Sequence, residues 1–437
     1  MKTDIQSKGC GPGAVSRELA SRLHRVETAN VTWLGEDFPV FWERGEGCWV
    51  TDVDGGRYLD MTAAFGVAAL GHCPAPVQTI LKSQTDILIH GMGDVHPPLA
   101  KVELLEELAA LVPIKNARIT LGTSGTMATE IALKAAYVRT GRPEVLYFQG
   151  GYHGLSTGAL SVIGHSRFRD PFAEQCATNP PPLRFPHDTA SMKSCLIEIE
   201  RVLQNTERRI GAIIIEPIQG RGGICVPPTD FLHQLRNLCD TTGTLLIVDE
   251  IFTGFYRTGE RFASMHIEPD ILLLGKALGG GLPIGVCVGK KDVMDAFGPS
   301  TGEALHTETF LGHPLTMRTA LAMLKALEAE DTAQMVRNRG EQLKTILEGL
   351  VKRTSQFKIE IRGKGLMQGL AFFESMNETP AAEPVKKLVQ GCLKEGLIVL
   401  GGGLDGNVLQ FTPPLNISED ELEVFGERIG QAFQQYL

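Results

Sequence analysis

Residues 244–289, TLLIVDEIFTGFYRTGERFASMHIEPDILLLGKALGGGLPIGVCVG, constrain this chain more than any other stretch. Three nearly continuous apolar runs, Thr244–Val248, Ile271–Leu274 and Pro283–Val288, read as short strands of a parallel sheet covered on both faces. A charged residue stands where each of the first two runs ends, Asp249 after LLIV and Lys276 after LLLG, with Gly279-Gly280-Gly281 close by. Open α/β sheets collect ligands at the carboxyl ends of their strands. A carboxylate and an amine placed there look like two parts of one site. The plainer alternative has Asp249 capping a turn and Lys276 in solvent.

The wording of the stretch goes further. D-E-I-F-T-G-F-Y-R-T-G followed by E-P-D-I-L-L-L-G-K-A-L-G-G-G-L-P-I-G strongly resembles the class III aminotransferase family, and the resemblance extends over nearly the whole chain. It implies a fold type I enzyme dependent on pyridoxal phosphate. In such an enzyme a lysine forms the Schiff base and a carboxylate keeps the pyridine nitrogen protonated, so that the ring withdraws electrons. By resemblance these are Lys276 and Asp249. The implied fold class is α/β, with a large, mostly parallel mixed-sheet domain and a small α+β domain formed by the N- and C-terminal segments. The expected division is 1–95 for the N-terminal segment, 96–330 for the large cofactor-binding domain and 331–437 for the C-terminal piece.

Leu121-Gly122-Thr123-Ser124-Gly125-Thr126 opens a helix running to about Arg139, with Ile131, Ala132, Ala135 and Ala136 on its buried side. A helix start made of small residues offers unpaired N–H groups and a partial positive charge to an anion. Ser124 on its own reads as an ordinary N-cap. The resemblance makes this the phosphate cup, with the backbone of Gly125 and Thr126 and the Thr126 hydroxyl holding the cofactor phosphate. Met127 is atypical there, since relatives often carry Glu at or beside it.

The Tyr152-His153-Gly154 motif implies Tyr152 stacked on one face of the cofactor ring, with Ile251 supporting the other. His153 belongs to this cofactor set by resemblance, without a catalytic role. His306-Thr307-Glu308-Thr309-Phe310 resembles a motif whose threonine reaches the neighbouring subunit's cofactor phosphate. That implies a homodimer in which Thr309 serves the partner. Phe65 falls where relatives place an aromatic side chain in the substrate pocket; a core phenylalanine is the competing reading.

Two positions depart from the family. Relatives often pair a Glu in E-P-x-Q-G-E-G-G with a carboxylate-binding Arg in N-V-x-R-x-x-P-P, whereas this chain has Arg221 and Gln410 at those places. A buried carboxylate without its Arg would cost roughly 3–5 kcal/mol, and changing both positions avoids that. Either Arg221 takes over carboxylate recognition, or the site accepts an amine or carbonyl compound lacking an α-carboxylate, with Gln410 filling space, or Arg221 is structural. Amino-group transfer from an amine or amino acid to a 2-oxo acid, aldehyde or ketone is the expected chemistry. An aminomutase, racemase, epimerase or decarboxylase on the same residues is the alternative.

A formal net charge of -9 with no basic stripe argues against nucleic acid or an anionic membrane surface as partner. Nine scattered cysteines without a C-x-x-C pair suit reduced thiols in a cytoplasmic protein and no metal site. No apolar leader opens residues 1–15, and no run is long enough to span a bilayer. Elsewhere the pattern predicts a hairpin over Cys48–Val53 turning at Asp54-Gly55-Gly56, and a helix from Leu99 to Val112 that starts the large domain. It also predicts a strand over Glu144–Gln149, a surface excursion over 165–190, a strand over Ile210–Ile215 and a helix Thr229–Thr242 capped by Thr229. Further on it predicts a helix Leu315–Glu328, strands Gly363–Phe373 and Leu397–Leu400, and helices Ala381–Glu395 and Ser418–Tyr436.

Overall fold

The computed structural model describes residues 10–32, 34–35, 38–205, 207–329 and 331–437. The chain divides into two compact units, Ala75–Gln334 and the residues up to Pro74 together with Met335–Leu437. The sequence-based lines fall at 95 and 330 instead. The helix Ala75–Thr85, ahead of the expected start at Leu99, belongs to the larger unit because it packs on the helix Pro314–Ala329.

The larger unit is built on a six-stranded sheet, in the order Arg118–Gly122, Gly285–Gly289, Ile271–Gly275, Leu245–Asp249, Ile210–Ile215, Glu144–Leu146. The last four run parallel to one another, as expected of apolar strands buried on both faces. Gly285–Gly289, expected to be parallel, runs antiparallel to both of its neighbours. The physical reason is length: residues 276–284 are too few for the crossover of a dozen or so residues that a parallel return needs. Glu144–Leu146 is also shorter than expected, because Phe148 leaves the sheet ladder to bridge Leu183. Part of 165–190 is therefore inside the unit rather than on its surface; Leu183 is buried.

The helix Gly125–Thr140 covers the sheet with small residues, Ala128, Ala132, Ala135 and Ala136 together with Ile131, which lets it approach closely. Its end is set by Gly141, whose left-handed backbone returns an N–H to the Tyr137 carbonyl. The helix after Ile210–Ile215 spans Phe231–Thr242. Its N-cap position is Asp230 rather than Thr229, and no side chain closes it. Gly243 ends it in the left-handed conformation.

The smaller unit holds two four-stranded sheets. In the first, Trp42–Glu46, Trp49–Asp52 and Arg57–Asp60 are joined by Leu397–Ile398, which pairs parallel with Arg57–Asp60 and so ties the N- and C-terminal segments together. In the second, the expected strand Gly363–Phe373 is a hairpin, Phe357–Lys364 with Met367–Glu374, turning at Gly365. Leu397–Leu400 likewise splits, and Leu400–Gly402 joins Val408–Phe411 in this second sheet. The helices Ala382–Lys394 and Glu419–Tyr436 lie within two residues of expectation, the latter opened by a Ser418/Glu421 capping box. Thr332–Arg353 is an unanticipated helix.

Candidate active site

The carboxyl ends of the parallel strands deliver three ionisable groups: buried Glu216 after Ile210–Ile215, buried Asp249 closing Leu245–Asp249, and partly buried Lys276 after Ile271–Gly275. Lys276 sits at φ +42°, a left-handed backbone that a non-glycine residue adopts at a cost and that recurs at functional sites. Its Nζ lies 3.6 Å from the centroid of the Phe252 ring, and among the described residues it has no ion pair. Burial pulls the Lys276 pKa down to about 8; the charges of Asp249 and Glu216 oppose the shift, while Arg221 and Arg257 add to it. Sequence reasoning assigns no role to Phe252. The only signal for it was its place in the turn after Asp249.

Asp249 is held from two sides. One carboxylate oxygen accepts the Ile251 N–H at 3.0 Å, and the other lies 2.8 Å from Nδ1 of His153. His153 is itself buried, and its carbonyl accepts the Thr129 hydroxyl at 2.8 Å, which fixes the motif to the helix Gly125–Thr140. Glu216, another residue without a sequence-derived role, accepts the Tyr152 N–H at 2.9 Å and the Gly220 N–H at 3.0 Å. Burial raises its pKa to about 7, with the charge of Asp249 adding to the effect and His153 and the two N–H groups opposing it. The backbones of Ile251 and Tyr152 are thus each anchored by a buried carboxylate.

At the start of Gly125–Thr140 the Ser124 hydroxyl accepts the Met127 N–H at 3.3 Å, so the serine is a helix cap in its own right. Ser124, Gly125 and Thr126 remain partly exposed. Two glycines allow the close approach. A Cβ on Gly125 would lie 2.8 Å from Ile251 Cδ1, and one on Gly285 would lie 1.8 Å from the Ser124 carbonyl oxygen. The Glu308 carboxylate accepts the Thr123 N–H at 2.8 Å beside the helix start, while Thr309 is exposed.

Ser124, Gly125, Thr126, Tyr152, His153, Ile251, Asp249, Lys276 and Arg221 all belong to the larger unit, and the contacts above link them around the strand ends. Arg221 lies over the Tyr152 ring, 4.8 Å from its centroid. Phe65 and Gln410 belong to the smaller unit. Phe65 is 66% exposed, which rules out the core reading. It follows Ala63 and Ala64 in a run of positive φ, and the Asp60 carboxylate steadies that run by accepting the Thr62 and Ala64 N–H groups at 2.8 and 3.0 Å. Gln410 is partly buried on Val408–Phe411, opposite Gly369 and Leu400.

A lysine with a lowered pKa, a fixed carboxylate and a helix N-terminus lined by small residues suit an aldehyde cofactor bearing a basic ring nitrogen and a phosphate. Comparison with known proteins agrees. Residues 34–433 match the model of the family described as aminotransferase class-III. The chain is 33% identical to a diaminobutyrate–2-oxoglutarate aminotransferase of Haemophilus influenzae, over 95% of this chain and 96% of that protein. It is 32% identical to an alanine/serine racemase of Pyrococcus horikoshii, over 98% and 92%. Among solved structures it resembles the pyridoxal-phosphate-bound amine transaminase of an uncultivated Pseudomonas species, with a TM-score of 0.86 and 29% identity over 94% of this chain and 100% of that one. Fold, strand-end chemistry and kinship agree that the chain belongs to the class III aminotransferases, pyridoxal-phosphate-dependent enzymes of fold type I.

Proposed function

We propose that in this aminotransferase Lys276 carries the cofactor and moves the proton, and that Asp249 holds the cofactor's ring nitrogen. The observation that carries the reading is the Lys276 amine: desolvated, on a strained backbone, without an ion pair among the described residues, and with its pKa lowered to about 8. Bound pyridoxal phosphate supplies an electron sink for the pair released at the substrate's amine-bearing carbon. Near neutral pH a useful fraction of Lys276 is unprotonated, so Nζ can take a proton from that carbon and return one as general acid. The Phe252 face, 3.6 Å away, gives the protonated amine a place to rest. His153 and the Ile251 N–H hold the Asp249 carboxylate aimed. Ser124, Gly125 and Thr126 receive the phosphate at the helix start, and Tyr152 and Ile251 hold the two faces of the ring. Phe65 and Gln410 are substrate-pocket residues in this reading.

A homodimer completes the picture. Ile87 (75% exposed), Ile89, Met92 and Val95 are apolar and uncovered. They adjoin the Thr309 segment, since the His90 and Phe310 rings stand 5.2 Å apart and the Thr307 hydroxyl donates to Asp94 at 3.1 Å. A second copy over this patch would bury it and bring Thr309 to the partner's phosphate. A cytoplasmic setting keeps buried thiols such as Cys239 and Cys287 reduced. No helix among the described residues is long and apolar enough to cross a membrane.

Borohydride reduction of the holoprotein followed by peptide mapping tests the assignment. The cofactor mass should appear on the peptide containing GKALGGG, and a tag on any other peptide overturns it. Consumption of one keto acid per donor separates transamination from racemase or mutase turnover, which uses none.

A further inference from the structure

The edge of the site beside Tyr152 carries two guanidinium groups that, among the described residues, make no ion pair. The Arg221 guanidinium carbon lies 4.8 Å from the Tyr152 ring centroid and 5.4 Å from that of Phe168. The Arg167 guanidinium carbon lies 4.9 Å from the same Phe168 ring. Both arginines are exposed, and among the described residues neither has an ion pair or a side-chain hydrogen bond, whereas Arg169 between them pairs with Asp170. His165, buried 6.3 Å from Tyr152 and 6.0 Å from Phe168 between ring centroids, adds no negative charge. Its Nε2 donates to the Gly150 carbonyl at 3.0 Å, and burial, with the two arginines, lowers its pKa so that the ring stays neutral.

Two like charges sharing one aromatic ring without a counter-ion repel each other, and in a chain of net charge -9 the arrangement is not a general excess of base. Guanidinium groups lying over aromatic faces are held in place while the N–H donors at their rims stay available for a planar, two-oxygen acceptor. The Arg221 charge also reaches Lys276, where it favours the unprotonated amine. A bound anion would therefore cancel the repulsion and alter the charge around the reacting amine together.

We propose that Arg221, backed by Arg167 across Phe168, is a carboxylate-binding subsite, so that the substrate this enzyme reads there is an amino acid or oxo acid and not an uncharged amine or ketone. The proposal rests on the aminotransferase reading of the same strand ends. It assigns Arg221 and Arg167 to specificity, with Tyr152 and Phe168 as the platform that positions them.

The test is calorimetric titration of the pyridoxal phosphate holoenzyme with acetate, succinate and glutarate, none of which can react, and with glutaramide as the uncharged isostere of glutarate. Wild type should prefer at least one carboxylate over the amide, with an affinity that falls as salt is raised. R221Q should lower that preference by about 10- to 100-fold, the size of one charge-assisted hydrogen-bonded pair. R167Q should lower it by only a few-fold, as loss of a screened neighbouring charge would. R221K, which keeps the charge but not the fork, should fall between R221Q and wild type. A wild type without preference for any carboxylate overturns the proposal. So does an R221Q protein that retains the preference, or that loses glutarate and glutaramide binding equally. Mapping the cofactor to Lys276 in the same preparations keeps the two readings apart, since a tag elsewhere defeats the enzyme assignment whatever the titrations show.

Discussion

One strand, Ile271–Gly275, has an ionisable side chain at each end, buried Asp270 and partly buried Lys276, and the two are treated oppositely. Asp270, just before it, is fully compensated. One oxygen accepts Lys290 Nζ at 2.8 Å, and the other accepts the Arg236 guanidinium and the Leu246 N–H, both at 2.7 Å. These bonds pin the helix Phe231–Thr242 and two strands of the sheet to one carboxylate. At the other end Lys276 has an aromatic face in place of an ion pair, a left-handed backbone, and a pKa drawn down to about 8. A buried charge with its partners in place locks structure, whereas one left short of partners is free to change its proton. The sheet keeps its candidate reactive group at the carboxyl ends of the parallel strands, where open α/β sheets collect ligands, and its staple at the opposite edge.

That contrast can be broken at either end. The largest effect expected is that of Lys276→Ala, which in the proposed reading removes nucleophile and proton carrier together. Single-turnover amine transfer should fall by about 10⁴-fold or more with the melting temperature nearly unchanged; a loss under tenfold would show that another group does the work. Asp270→Ala should behave the other way round. Arg236 would keep only the more exposed Asp240 at 2.8 Å, and Lys290 and the Leu246 N–H would lose their acceptor, so the change should cost about 3 kcal/mol in urea unfolding while kcat per folded molecule stays as in wild type. An equal loss of kcat at full folding would erase the distinction between the two ends.

A subtler test uses the apoprotein and amine acylation read by mass spectrometry. Lys276 should become reactive as pH rises through about 8 rather than near 10.5. Because the folded pKa lies below the unfolded one, the folded apoprotein binds fewer protons than the unfolded chain in that window. Its stability should therefore rise with pH from about 8 toward 10.5. The smallest change concerns Phe252→Leu. It removes a cation–π contact worth up to ~2 kcal/mol to the ammonium form, so the reactive midpoint should move lower still. A midpoint that moves upward would mean that Phe252 acts through burial alone.

Much of the site was legible in the chain because its parts stand where local patterns end. Asp249 and Lys276 each follow a run of apolar residues that can only be buried strand, and Ser124 precedes a helix whose alanine face is plain in the sequence. The strand Ile210–Ile215 is recovered residue for residue because six apolar positions in a row leave no other reading. The failures have a common cause. Gly285–Gly289 was given the right place and the wrong direction, since apolar character does not report which way a strand runs; the shortness of the link did. The hairpin around Gly365 was read as one strand because alternation continues across a tight turn.

Sequence alone determined most of the elements and where their charged ends fall, because burial periodicity and chain-terminating residues act over a few neighbouring positions. Tertiary structure decided which groups meet. Glu216 reaches the Tyr152 N–H across 64 positions of chain, and His153 reaches Asp249 across 96. Phe252 comes under Lys276, and Arg221 and Arg167 come to share Phe168. Those pairings depend on strand order, on the direction of Gly285–Gly289 and on loops folded back over strand ends. No local pattern encodes such through-space neighbours, and they set the proton affinity of the amine and the unbalanced charge at the rim.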